Sequence, residues 1–466
     1  MLDDNAIRTL IKKTRTVSVK DSRPPAFSDD ALALHFAEIH ADDLRHVAAW
    51  NKWLSWDGTH WTFDATLAAW NEARKICRVA AAACNKTKLA SALASSKTVA
   101  AVINLARSDR RLAATIEQWN TDLWAANTPL GVIDLHTGEM RPHCVTDYMT
   151  KITAVAPDHN CPTPIWLTFL ETVTNGDTEL ITFLQRMAGY ALTGSTEEHA
   201  LFFHHGIGAN GKTTFIKTIS SIFGDYHRTA PIETFTASHT EHHPTDLAGL
   251  HGARLVTSIE TEEGRRWAEQ KITALTGGDE ISARFMRQDY FDYTPHFKLV
   301  IAGNHKPGLR SINEAIRRRL HLIPWAVVIP EQERDKKLVE KLQPEWPGIL
   351  AWIIEGCLQW QKIGLAPPKI VTEATDAYMQ AEDALFAWID EYCILDANAW
   401  EKTTTLYTGW KAWAEKSGEY VGSMKRFSQN LEERGPSKGV YYKRHMTFGR
   451  GFLGLRLVGD AGTQGT

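Results

Sequence analysis

The segment Gly206-Ile207-Gly208-Ala209-Asn210-Gly211-Lys212-Thr213 constrains this chain most, because it fits GxxxxGK[ST]. Glycines at these spacings let the backbone bend until several N–H groups face one phosphate chain. Lys212 adds a point charge for the β- and γ-phosphates, and the Thr213 hydroxyl can ligate Mg²⁺. A short apolar run, ALFFH, precedes the loop, and KTTFIKTISSIFG follows it at helical spacing. Strand, loop and helix in that order place a helix N-terminus at the same anion. Gly206, Gly208, Ala209, Asn210, Gly211, Lys212, Thr213 and Thr214 are therefore the expected nucleotide contacts.

The reaction has to be read from the strands downstream. RLVTSIETEEG is a buried-strand pattern ending in Glu260, with Glu262 close behind. A carboxylate at the end of a strand beside the phosphate loop can hold the Mg²⁺ shell or orient an attacking water. FKLVIAGNHKP is a further strand, and Asn304 at its end can reach a γ-phosphate or the lytic water. Ile316-Arg317-Arg318-Arg319-Leu320 then places three arginines together. A ring ATPase has a use for them, since one subunit can insert an arginine into its neighbour's site. Arg318 and Arg319 are the candidates. Short strands alternating with helices predict a mainly parallel sheet with helices on both faces, an α/β class.

The series GIGANGKTT, IETEEG, KITALTGGDEISARF, IAGNHKP and AIRRRLHLIPW resembles superfamily 3 helicases, and more narrowly the helicase part of phage and plasmid primase-helicases related to the poxvirus-type nucleoside triphosphatase. The strong match spans about residues 200–330. A weaker likeness runs upstream through NTPLGVIDLHTGE and FLQRMAGYALTG. The resemblance implies an AAA+-like P-loop NTPase core, ATP and Mg²⁺ as cofactors, a homo-hexameric ring, and translocation along single-stranded or forked DNA. It makes Lys212 and Thr213 the Walker A pair, Glu260 and Glu262 the Walker B acids, Asn304 the sensor, and Arg318 with Arg319 the arginine donated to the next subunit. Thr261 splits the acidic pair. A hairpin around Met286-Arg287-Gln288-Asp289 would project into the ring's channel, with Lys271, Arg284 and Arg287 on DNA phosphates. Two other functions fit the same motifs: a ring ATPase that remodels or loads replication proteins, and an ATP-switched origin-binding protein.

The flanks set the rest of the organisation. Residues 1–26 read as a polar tail. Residues 27–193 read as a mostly helical domain, interrupted by hairpin signals at Asp57-Gly58 and His136-Thr137-Gly138, with one helical stretch from Ile165 through Leu192. Residues 194–365 hold the NTPase core and 366–400 a helical linker. Residues 401–466 form a basic, winged-helix-like unit of two amphipathic helices and a hairpin, with Lys425, Arg426, Lys443, Arg444 and Arg450 as exposed cations. The whole chain carries −3, so any nucleic-acid surface is local. Six scattered cysteines with no CxxC argue against a zinc ribbon and for reduced thiols. The start, MLDDNAIRTLIKKTRTVSVK, lacks an apolar h-region, and no apolar run is long enough to span a bilayer, so a cytoplasmic, host-cell location is expected. The helical reading of 27–193 also predicts no primer-synthesising activity, which would come from a separate primase. His239, His242 and His243 with Glu241 and Asp246 match no familiar metal spacing. Trp50, Trp53, Trp56 and Trp61 are expected in a small core.

Overall fold

A computed structural model describes residues 24–237, 245–259, 265–286, 289–309, 314–382, 384–419, 421–445 and 449–458. The N-terminal part begins with α1 (Asp29–Ile39), whose N-cap Ser28 accepts the Ala31 amide and whose first turn carries Asp29 and Asp30, suited to the positive end of the helix. Strands β1 (Leu44–Val47), β2 (Lys52–Trp56) and β3 (Trp61–Phe63) form an antiparallel meander. The β2–β3 turn is tied by Asp57, whose Oδ1 accepts the amides of Thr59 and His60. Helices α2 (Ala68–Ala82), α3 (Thr87–Leu93) and α4 (Ser96–Ala106) follow, and β4 (Ala113–Ala114) joins β1 in parallel. Leu32, Phe36, Ala73, Cys77, Val102 and Ile103 close the core between α1, α2 and α4. Trp53 and Trp61 are buried, while Trp50 and Trp56 pack at the margin of a second cluster. A second meander, β5 (Ala125–Thr128), β6 (Gly131–Asp134) and β7 (Met140–Arg141), turns at His136-Thr137-Gly138.

Residues 27–193 are thus a mixture of helices and short strands rather than mostly helical. Period-2 stretches of two to five residues are too short to stand out beside the long helical repeats. The stretch 165–192 is two helices, α5 (Pro164–Thr174) and α6 (Thr178–Leu192). Asn175 in the left-handed region, Gly176 (φ +74°) and the N-cap Asp177 make the break.

The central sheet contains β8 (Leu201–His205), β9 (His227–Thr229), β10 (Leu255–Ile259), β13 (Lys298–Gly303) and β14 (Leu320–Pro324), all parallel, in the order β14-β8-β13-β10-β9. Between them run α7 (Lys212–Phe223), α8 (Thr245–Ala248), α9 (Glu269–Gly277), the antiparallel pair β11 (Ile281–Ala283) and β12 (Phe291–Tyr293), and α10 (Glu314–Arg317). After β14 come α11 (Leu338–Leu342), α12 (Trp346–Ile363) and α13 (Lys369–Ala381). Alternate residues of each strand enter opposite cores. Phe202, Val300 and Ile323 meet Phe183 of α6, Phe215 of α7 and Ile353 of α12. Phe203, Ile301 and Leu322 meet Ile272 of α9 and Met379 of α13. Burial on both faces explains why these strands read as continuous apolar runs.

The C-terminal unit starts earlier than residue 401. Helix α14 (Ala384–Tyr392) and strand β15 (Cys393–Lys402) precede α15 (Thr403–Ser417), α16 (Met424–Arg434), β16 (Tyr441–His445) and β17 (Gly449–Leu457). The sheet order is β15-β17-β16. Leu385, Trp388 and Ile389 of α14 share one core with Leu406, Phe427, Leu431, Phe452 and Leu455. The stretch expected to be a helical linker is therefore split: α13 packs on the central sheet, and 384–400 builds the last unit. No single described helix is long and apolar enough to cross a membrane.

Candidate nucleotide site

β8 lies between β13 and β14, where the strand order reverses, and ligand crevices in open parallel sheets form outside the carboxyl ends at such a point. The phosphate-loop motif leaves β8 there. A Cβ on Gly206 would stand 2.3 Å from the Trp325 carbonyl oxygen, and one on Gly211 (φ +89°) 2.5 Å from Val173 Cγ1 of α5. Both positions need glycine for space as well as for turning. Asn210 is buried inside the loop, where its Nδ2 donates to the carbonyls of Trp325 (3.1 Å) and Ile207 (3.3 Å). The Ile329 amide donates to Ala209 O (2.9 Å). Trp325 is itself anchored: its indole N–H donates to His204 Nδ1 at 2.9 Å. Burial, with the nearby Lys212 charge, lowers the His204 pKa to about 3, so His204 stays neutral and accepting.

Lys212 opens α7 and is 6% exposed. Its ammonium donates to the Gly206 carbonyl and to Asn304 Oδ1 (3.2 Å). It has no carboxylate partner among the described residues, and burial lowers its pKa. A buried ammonium satisfied only by neutral oxygens, at a helix N-terminus, is poised for an anion. Thr213 is exposed beside it, and Gly208 faces open space with nothing within 4 Å of a built Cβ. These groups suit a nucleoside triphosphate with its Mg²⁺: backbone amides and Lys212 toward phosphate oxygens, and the Thr213 hydroxyl toward the ion.

The sheet brings Asn304, just past β13, to Lys212 through the in-register pairing of Gly303 with His205. β13 also pairs with β10, Ala302 opposite Ile259. Glu260 and Glu262 lie outside the described residues. The two arginines separate. Arg318 is exposed. Arg319 is 4% exposed and committed within its own chain, Nε donating to Thr276 Oγ1 (3.2 Å) and Nη1 to Ala315 O (2.7 Å). Donation of Arg319 to a neighbouring copy would require these bonds to break, a cost that the exposed Arg318 does not carry. Arg317 pairs with Asp376 at the surface (3.0 Å).

β11 and β12 form the expected antiparallel pair, Ala283 opposite Phe291. Arg284 lies over the Tyr290 ring at 4.8 Å, and Phe285, Met286 and Tyr290 are exposed nearby. Arg287 lies outside the described residues. Lys271 is on α9, half-buried, and its pKa is lowered by burial against an opposing pull from Asp246. His239, Glu241, His242 and His243 also lie outside the described residues, and no group of three metal-ligating side chains occurs among the described ones.

Two residues that motif reading passed over brace the site. One is Trp325, above. The other is Tyr378 of α13, whose hydroxyl donates to Pro307 O, three residues after Asn304, and accepts from Trp267 Nε1 (3.0 Å). Glu382 accepts the Leu309 amide (2.9 Å), so α13 straps the whole 304–309 loop. Trp325 ends the AIRRRLHLIPW stretch, but nothing in that pattern marks its role, and Tyr378 lies outside every quoted stretch; each acts on its loop from a position remote along the chain.

Residues 33–175 match the family described as D5 N terminal like, and residues 204–319 match a family of unknown function, DUF5906. "Putative helicase L207/L206" of Acanthamoeba polyphaga mimivirus is 25% identical over 317 residues, covering 63% of this chain and 33% of that protein. "Putative helicase 022R" of Frog virus 3 is 23% identical over 344 residues, with 68% and 33% covered. The chain is similar to these viral proteins and, over residues 33–175, to the D5 N terminal like family. It spans about a third of the length of the curated relatives it matches. A solved structure of the NrS-1 C-terminal region is similar over 90% of this chain and 98% of that chain, at 9% identity and a TM-score of 0.48.

Proposed function

We propose that this chain is an ATP-dependent DNA helicase of superfamily 3. In this reading an AAA+-like core assembles as a hexameric ring on single-stranded or forked DNA during phage- or plasmid-type replication. The observation that carries it is the buried Lys212 ammonium, whose partners among the described residues are the Gly206 carbonyl and the Asn304 side-chain amide oxygen, at the switch point of a parallel sheet. Bound ATP with Mg²⁺ supplies the phosphoanhydride and the cation that neutralises its charge. Lys212 binds phosphate oxygens, Thr213 faces the ion, and Asn304 holds the lysine in place and orients groups at the terminal phosphate. Glu260 and Glu262 act as the acids of the site. Arg318, exposed at the surface, completes the pocket of the next copy, and Arg284 and Arg287 grip the strand.

The experiment is ATP hydrolysis and fork unwinding by the purified chain across a dilution series. Lys212→Ala should abolish both at any concentration. Arg318→Ala should abolish turnover in the assembled form while leaving nucleotide binding intact. Turnover that stays constant on dilution to monomer, or that survives Arg318→Ala, overturns the ring reading.

A further inference from the structure

The C-terminal unit carries a charge pattern that its own fold does not neutralise. From α16 through the hairpin, residues 424–456, the chain holds eight Lys/Arg against two acids, Glu432 and Glu433. The acids of this unit lie mainly on the other side of its sequence, in α14 and β15, where Asp390 pairs with Lys438 and Glu391 accepts the Trp413 indole N–H. Helix α16 buries Phe427 and Leu431 and exposes Lys425, Gln429 and Glu432. It runs through the turn Gly435–Lys438 directly into β16.

The hairpin register sets Arg444 directly opposite Arg450, with Lys443 opposite Gly451 one step back. Like charges facing each other across an antiparallel pair destabilise it. Lys425, Lys443, Arg444 and Arg450 reach no acid among the described residues. β15 pairs with β17 only as far as Gly451, so Arg444 and Arg450 face each other on the two-stranded end of the sheet, where a polyanion against the guanidiniums would stabilise the pair.

We propose that the C-terminal unit binds duplex DNA, with α16 directed to the major groove and the Arg444–Arg450 pair of the hairpin clamping backbone phosphate. The major groove admits a helix or a two-stranded ribbon, and this unit presents one of each from a continuous segment. Binding to a single strand would instead call for free aromatic platforms. Tyr441 and Tyr442 of the hairpin are exposed, but as neighbours on β16 they point to opposite faces and form no common platform; Tyr442 packs edge-on to Phe452 at 5.5 Å, and Trp400 Nε1 donates to Lys443 O (3.4 Å). The proposal goes beyond the motor reading and does not depend on nucleotide hydrolysis.

The test is fluorescence anisotropy of the full chain, without nucleotide, on a labelled blunt 24-bp (about two helical turns) duplex and on a matching single strand, from about 50 to 300 mM KCl. Removing one arginine–phosphate ion pair lowers the slope of log K against log salt by about 0.9 and, near 0.1 M salt, the affinity about eightfold. Arg444→Ala/Arg450→Ala should therefore weaken duplex binding by about 60-fold and flatten the slope by about 1.8. Arg444→Lys/Arg450→Lys should keep most of the slope. Thermal unfolding of the alanine pair should come no earlier than wild type, since a repulsion has been removed. Lys212→Ala should bind duplex as wild type does while hydrolysing nothing, which separates this proposal from the motor reading. Unchanged duplex affinity in the alanine pair overturns the proposal, as does a single-strand affinity that falls as much as the duplex affinity in that pair. Increased aggregation with unchanged binding would assign the arginines to protection of the β16 edge instead.

Discussion

Tyr378→Phe removes one oxygen and should cost more than most single substitutions in this chain. The hydroxyl is the only described partner of two buried groups, the Pro307 carbonyl and the Trp267 indole N–H. Trp267 is 2% exposed and Pro307 is buried, so water cannot take the place of the missing bonds. Leaving a buried donor or acceptor unsatisfied costs roughly 1–3 kcal/mol each, which puts the substitution at about 2–6 kcal/mol with little change in packing volume. The aromatic face is retained, so the Lys306 ammonium 5.6 Å above the ring stays in place. Urea unfolding followed by tryptophan fluorescence should show the effect as a lower midpoint at constant slope. On the proposed ATPase reading, turnover should fall as well, with KM for ATP little changed, because the loop that loosens carries Asn304 and is not the proposed phosphate loop. A stability change below about 0.5 kcal/mol would refute the accounting, and full activity alongside a large stability loss would refute the strap.

Gly211→Ala should cost about 1–2 kcal/mol for a side chain in the left-handed region and a further ~1–3 kcal/mol for the clash with Val173 and Phe169. Adding Val173→Ala should restore only the second part in thermal unfolding; complete recovery would deny the backbone strain. Stability should also fall on acidification below pH 6.5. His204 is neutral in the fold with a pKa of about 3, so the unfolded chain binds the extra proton, and between about pH 7.5 and pH 5 this one group withdraws about 2 kcal/mol. His204→Asn keeps an acceptor for Trp325 and should flatten the pH profile measured by chemical denaturation; parallel profiles would exclude His204 as the source.

The phosphate loop, its flanking strand and helix, and the other apolar strands were legible because each is a local pattern. A GxxxxGK[ST] spacing is a statement about backbone freedom within eight residues, and a strand buried on both faces needs no partner to be seen as an apolar run. The Asp57-Gly58 turn is local for the same reason. β9, with the sequence His227-Arg228-Thr229, carries no such mark and is a strand only because β10 pairs with it. The division of the 366–400 linker between the central sheet and the C-terminal core was invisible for a like reason: α13 and α14 are both helical, and only packing tells one from the other.

The site divides along the same line. From sequence alone came the chemistry of the pocket: which residue carries the ammonium, which the hydroxyl, which the amide at the strand end. Those follow from side-chain type and spacing, which are properties of the chain before it folds. Tertiary structure alone decided that Asn304 reaches Lys212, that Arg319 is held inside its own copy while Arg318 is exposed, and that Tyr378 and Trp325 brace the loops. The physical reason is that burial and hydrogen-bond partnership depend on what arrives from elsewhere along the chain, and adjacent arginines differ by nothing a linear pattern records.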